Sequence, residues 1–319
     1  MKFQTPVPVN KQYPEIGYDS SVVLLGSCFV EHMGDKLGYY NFRSCTNPFG
    51  VLFNPYAIAN LVERAVAQRG FIPDDTFYAD ERWNSFEVHS QCSRAQQEVF
   101  LDILNTGLSQ LHEALHAASH LVITLGTAWV YRHVETNRVV ANCHKVPQKA
   151  FVKELLDVQE IRLQLERIEH LVRGINTGCR VIVTVSPVRH IKDGVTENQR
   201  SKAHLIAALH DFLEDTSDWV YFPSYEILMD ELRDYRFYAD DMLHPSEMAV
   251  EVVWDRFVGS WMSSETLEVM KRVGGIRKGL AHRPFNPEGK AHLAFREKLR
   301  LEIQDLTSRY PHMQFPDFP

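Results

Sequence analysis

Val22-Val23-Leu24-Leu25 runs without a polar interruption into Gly26-Ser27-Cys28-Phe29. The first four residues have strand length and no alternation, the pattern of a strand buried on both faces. Two further runs share this character, Leu121-Val122-Ile123-Thr124-Leu125 and Val181-Ile182-Val183-Thr184-Val185, and Trp219-Val220-Tyr221-Phe222 is a weaker fourth. Helix-length amphipathic stretches lie between them, expected over Glu98 to Leu115 and over Phe151 to Arg173. Thr196-x-x-Gln199 has the form of a capping box opening a further helix through Ala203 to Leu213. This alternation predicts an α/β fold with a central parallel sheet covered by helices, the runs at Val22, Leu121 and Val181 being neighbours.

Composition narrows the function classes. The 319 residues are 45% apolar and 24% charged, with dispersed Gly and Pro, which excludes a disordered or fibrous chain. A net charge of −7 supplies no basic field for a polyanion, so nucleic acid is not an expected partner. Five widely spaced cysteines with no C-x-x-C write neither a disulfide framework nor a regular zinc knuckle. Met1 to Pro14 has prolines and polar residues where a secretory signal is apolar, and no run approaches the roughly eighteen residues that span a bilayer. The expectation is a cytoplasmic protein without a membrane partner. From Lys271 to Pro319 ten Lys or Arg face five Asp or Glu, and Gly274-Gly275 and Pro284-Phe285-Asn286-Pro287 punctuate the segment. Residues 1–265 therefore read as the main domain and 266–319 as a C-terminal helical extension packed on it.

Chemistry is concentrated where strands end. Phe29, Met33 and Leu37 recur every fourth residue before Gly38, expected as a C-cap, so Ser27 sits where a strand turns into a helix. Ligands bind at that end of open parallel sheets, and a helix N-terminus favours anions. A hydroxyl there can attack a carbonyl, although serine is also simply a preferred N-cap. Cys28 is expected to point away from the Ser27 direction and to be a small buried core residue. Far downstream, Asp241-x-x-His244 offers the base that a hydroxyl needs and the carboxylate that fixes the imidazole.

Gly26-Ser27-Cys28-Phe29, Asn47-Pro48-Phe49-Gly50-Val51-Leu52-Phe53-Asn54-Pro55, Leu125-Gly126-Thr127-Ala128-Trp129-Val130-Tyr131, Val140-Ala141-Asn142-Cys143-His144-Lys145 and Asp241-Met242-Leu243-His244-Pro245 together resemble the GSCFA family of the SGNH hydrolase clan. Val30 stands where the family motif ends in Ala. The resemblance implies a flavodoxin-like three-layer α/β/α sandwich and a triad of Ser27, His244 and Asp241 that hydrolyses acyl esters without a cofactor. It also implies an oxyanion hole from the Ser27 N–H, the Gly50 N–H and an asparagine. Ala128 occupies the asparagine's place in Gly126-Thr127-Ala128-Trp129, so either Thr127, Asn142 or another group substitutes for it, or the chain is a slow or non-hydrolytic member.

His144 and Asn142, with Trp83 to His89, are candidates for the pocket lining. His89, Cys92, Cys143 and His144 lack a usual zinc spacing, so no metal is expected. Arg189, after the Val181 to Val185 strand, could hold a substrate carboxylate or phosphate. The expected partner is a small-molecule or glycan ester. The same triad would serve O-acyl transfer to a hydroxyl other than water, and an SGNH-like module that binds an ester or glycan without turnover is the reading from another class.

Overall fold

The computed structural model describes residues 4–283 and 285–316. Its centre is a five-stranded, all-parallel sheet. The strands are β1 (Ser21–Gly26), β2 (Arg43–Thr46), β5 (His120–Leu125), β9 (Arg180–Val185) and β10 (Trp219–Tyr221), in the order β10-β9-β5-β1-β2. The three strongest apolar runs are thus adjacent, with Val23 opposite Leu121 and Leu121 opposite Val181.

The runs do not alternate because each face has its own helical layer. Val23, Leu25, Leu121 and Val183 pack with α2 (Pro55–Val66), α3 (Gln97–Ala117), α4 (Val158–Ile175) and α5 (Val195–Leu213). Val22, Leu24, Val122 and Ile182 pack instead with α1 (Cys28–Tyr39), α7 (Glu247–Trp261) and α8 (Ser264–Ala281). A short α6 (Ser224–Glu226) continues into a wider turn through Glu231. The C-terminal extension forms α8 and α9 (Lys290–Arg309), and Leu299 and Leu306 of α9 join the second apolar layer. Gly274 and Gly275 lie inside α8 rather than opening a new element, and Pro284 lies outside the described residues. No helix among the described residues is long and apolar enough to cross a membrane.

Excursions outside the main sheet add a hairpin, β3 (Phe77–Ala79) with β4 (Arg82–Asn84), and a small antiparallel sheet. That sheet joins β6 (Trp129–His133), β7 (Val139–Val140) and β8 (Phe151–Leu155).

Three expectations need correction. Phe151 to Arg173 is not one helix: Phe151–Leu155 pairs with β6, and α4 starts only after Asp157, whose side chain caps it in a reciprocal box with Glu160. Thr196 is not an N-cap either, because α5 already begins at Val195 behind Gly194, whose φ of 95° makes the turn. Gly38 lies within α1, and Tyr40 is the C-cap.

Candidate active site

The carboxyl ends of β1, β5 and β9 bring together residues 26–28, 126–128 and 186–190. Two features lock the first of these. Gly26 has a φ of 135°, and a Cβ there would fall 2.2 Å from the Thr124 carbonyl oxygen, so no other residue fits. The Asn47 side chain brackets the same residue, accepting from Gly26 N–H at 2.9 Å and donating to Gly26 O at 3.3 Å. The Leu52 N–H also donates to Gly26 O, while Phe53 O accepts from the Gly126 and Thr127 N–H groups. The Asn47 to Asn54 loop therefore ties the end of β1 to the end of β5. Gly126 needs its small size: a Cβ would lie 3.0 Å from Phe53 O and 3.2 Å from the Ser27 Cβ.

Ser27 is the N-cap residue of α1, extended at φ −69° and ψ 169°, and it is fully buried. Its Oγ has no hydrogen-bond partner. The expected Ser27–His244 hydrogen bond is therefore absent in this state. Cys28, expected in the core, is the residue that is partly exposed, as the first residue of α1. Burial raises its thiol pKa and Glu31 adds to this, while Lys202 and the backbone N–H groups of Cys28 and Phe29 pull it down.

Asp241 and His244 form the pair the sequence suggests. Asp241 Oδ1 accepts from the Leu243 and His244 N–H groups, each at 2.9 Å, and Oδ2 meets His244 Nδ1 at 2.6 Å. These bonds, the His244 backbone N–H first, hold the carboxyl down at about 2. Met242 takes a left-handed φ of 58° to close the loop, and Ser246 then caps α7. With Nδ1 held by the carboxylate, Nε2 is the proton-accepting end of the ring. The loop leads directly into α7, which packs with α1 on the same face of the sheet.

The expected oxyanion donors are otherwise engaged. Ser27 N–H donates to Thr124 O at 3.0 Å, continuing the β1–β5 ladder, and Gly50 N–H closes a turn onto Asn47 O at 2.8 Å. Thr127 Oγ1 meets Ser201 Oγ and accepts from Trp129 N–H, so it braces the β5–β6 connection. Asn142 Oδ1 accepts from His144 N–H, and the buried His144 ring contacts Ser85 O and Val88 O through Nε2. Gly126 carries its carbonyl to Lys202. Arg189 donates to the Tyr238 hydroxyl just ahead of the Asp241 loop. Phe53, Thr127, Trp129, Tyr131, Asn142 and His190 line a cleft of about 520 Å³ beside these strand ends. Among the described residues no three His, Cys, Asp or Glu side chains converge as metal ligands.

Sequence reading missed Lys202 and His190. Lys202 is completely buried in α5 and donates to Gly126 O at 2.6 Å and Ser186 O at 2.7 Å, bridging the ends of β5 and β9. Its signal was its position: Asn198, Ser201, Lys202 and Leu205 fall on one helical stripe, so a lysine occupies a core-facing site. Burial lowers its pKa to about 7. Burial, with Lys202 next, lowers His190 to about 4.

The family model GSCFA family matches residues 21–257, and the model GSCFA domain protein, C-terminal domain, matches residues 273–317. The first match spans β1 through most of α7 and the second covers the end of α8 and all of α9. No curated protein matches the chain.

Proposed function

The chain belongs to the GSCFA family, and from that premise we propose that it transfers acyl groups from esters, with water as the acceptor in the hydrolytic form. The observation that carries this is the Asp241–His244 pair, bonded at 2.6 Å, in a chain whose β1-to-α1 junction bears two nucleophilic side chains, Ser27 and Cys28. Asp241 holds His244 in one tautomer and stabilises its charged form. Nε2 takes the nucleophile's proton and returns it to the departing alcohol. The resulting acyl-enzyme is released by water, or by another hydroxyl in O-acyl transfer. The adjoining cleft, with aromatic Trp129 and Tyr131 and polar Asn142, suits a small-molecule or glycan ester. No cofactor enters the scheme.

The test is turnover of p-nitrophenyl acetate and acetylated sugars by the full chain, with and without an added alcohol acceptor. Acid release that disappears in His244→Ala is the expected result. Partition of the acyl group to the alcohol would make the protein a transferase. Ester binding without release of either product would leave a binding module and overturn the proposal.

A further inference from the structure

The junction presents two candidate nucleophiles side by side, and the structure treats them oppositely. Ser27 has no exposed surface, its N–H is spent in the sheet ladder, and its Cβ is wedged against Gly126. Rotation about χ1 moves Oγ around a Cβ that is itself in the core, so a substrate reaches this hydroxyl only if the junction comes apart. Cys28 is one residue on and partly exposed. Its place is the opening position of a twelve-residue helix at the end of β1, so its own N–H and that of Phe29 lie in the first turn, where no helical acceptor exists. These N–H groups, and Lys202, which is anchored at the neighbouring strand ends by the Gly126 and Ser186 carbonyls, favour the anion of the thiol. Cys28 and His32 are four residues apart on α1 and so share a face.

We propose that Cys28, not Ser27, is the nucleophile, with His244 as its base and Ser27 as a packing residue that fixes the start of α1. This rests on the acyl-transfer reading above and changes the atom that attacks. The thiol is protonated at rest, since burial and Glu31 outweigh the groups that favour its anion, so the base is needed. His244 Nε2 takes the S–H proton as sulfur bonds to the ester carbonyl carbon and the π pair moves onto oxygen. Collapse breaks the carbon–oxygen ester bond, and His244 protonates the departing alkoxide. Water then adds to the thioester and gives its proton to His244, the carbon–sulfur bond breaks, and the thiolate recovers the proton. Nothing is oxidised or reduced. The N–H groups of Cys28 and Phe29 are the donors that take over from the committed Ser27 and Gly50 N–H groups in holding the oxyanion.

The experiment is acid quench of the full chain during turnover of p-nitrophenyl acetate, followed by peptide mapping and treatment with neutral hydroxylamine. The expected adduct is on Cys28 and is cleaved by hydroxylamine as a thioester. Turnover should fall by about 10³-fold or more in Cys28→Ala and by no more than about tenfold in Ser27→Ala. An adduct on Ser27, or full turnover in Cys28→Ala, overturns the assignment while leaving acyl transfer standing. If the wild-type chain turns over no ester, acyl transfer is what fails, and the thiol is then read by its alkylation rate with iodoacetamide. Alkylation of Cys28 that is faster than at the other four cysteines and slowed about tenfold by His244→Ala supports the Cys28–His244 pairing. A rate indifferent to His244 overturns it.

Discussion

The Gly26–Cys28 junction and the Asp240–Ser246 loop, the two halves of the proposed site, are built by opposite means. The junction is held from outside itself: Asn47 brackets Gly26, Thr124 O receives the Ser27 N–H, and Gly126 leaves room for the Ser27 Cβ. The loop holds itself together. Asp241 accepts from two backbone N–H groups and the imidazole within four residues, and both side chains are about 45% exposed. A nucleophile on such a junction has one position, fixed by the core. A base on such a loop can be changed without disturbing the fold.

The largest expected effect tests the loop's half. His244→Ala should lower ester turnover by about 10²–10⁴-fold, the usual contribution of a positioned general base. Because the imidazole is exposed and bonded only to its own loop, the unfolding free energy should move by no more than about 0.5 kcal/mol. Denaturant titration beside steady-state kinetics separates the two. A large loss of stability would mean that the loop is structural and the comparison wrong.

A substitution in the junction should act the other way round. Gly126→Ala puts a Cβ 3.0 Å from Phe53 O and 3.2 Å from the Ser27 Cβ, both of which are backbone or core atoms with little room to yield. The expected cost is about 1–3 kcal/mol of stability, as for overpacking elsewhere, read as a lower midpoint in thermal or chemical unfolding. An unchanged midpoint would show that the junction is softer than its hydrogen bonds suggest.

The same contrast explains what the sequence disclosed. The β1, β5 and β9 strands were legible because burial on both faces demands uninterrupted apolar residues, and Val22 to Leu25 satisfies that demand with no tertiary information. The Asp241–His244 pair was legible because its geometry is local, three residues apart on one turn. The orientation of Ser27 against Cys28 was not, since it depends on a Gly26 φ and on Asn47, twenty residues away in sequence. The Phe151–Leu155 strand was hidden because it runs into α4 with only Asp157 to mark the change, and that N-cap box with Glu160 is the signal that outranks the periodicity. Lys202 was hidden by its charge, which masks a core position on the α5 stripe.

The smallest effect concerns how the junction's electrostatics are maintained beneath the surface. Lys202 is fully buried, and desolvation first, then Arg189, lowers its pKa from 10.5 to about 7, while Cys28 opposes the shift. Between these limits the unfolded chain keeps a proton on this lysine that the folded chain has released. The unfolded state then binds more protons, so stability rises with pH, by up to about 1.4 kcal/mol per unit for this one group. Below pH 7 both states are protonated and the contribution is flat. Lys202→Met leaves the Gly126 and Ser186 carbonyls without their donor, a cost that does not depend on pH, and it removes the slope. Burial lowers the neighbouring His190 to about 4, so it does not contribute between pH 7 and 8.5. Urea titrations of both chains at pH 7, 7.75 and 8.5 should therefore diverge, wild type gaining steadily on the variant as pH rises. Parallel behaviour would mean that the ammonium keeps its proton throughout, and that Lys202 is a permanent charge rather than one that the fold has partly given up.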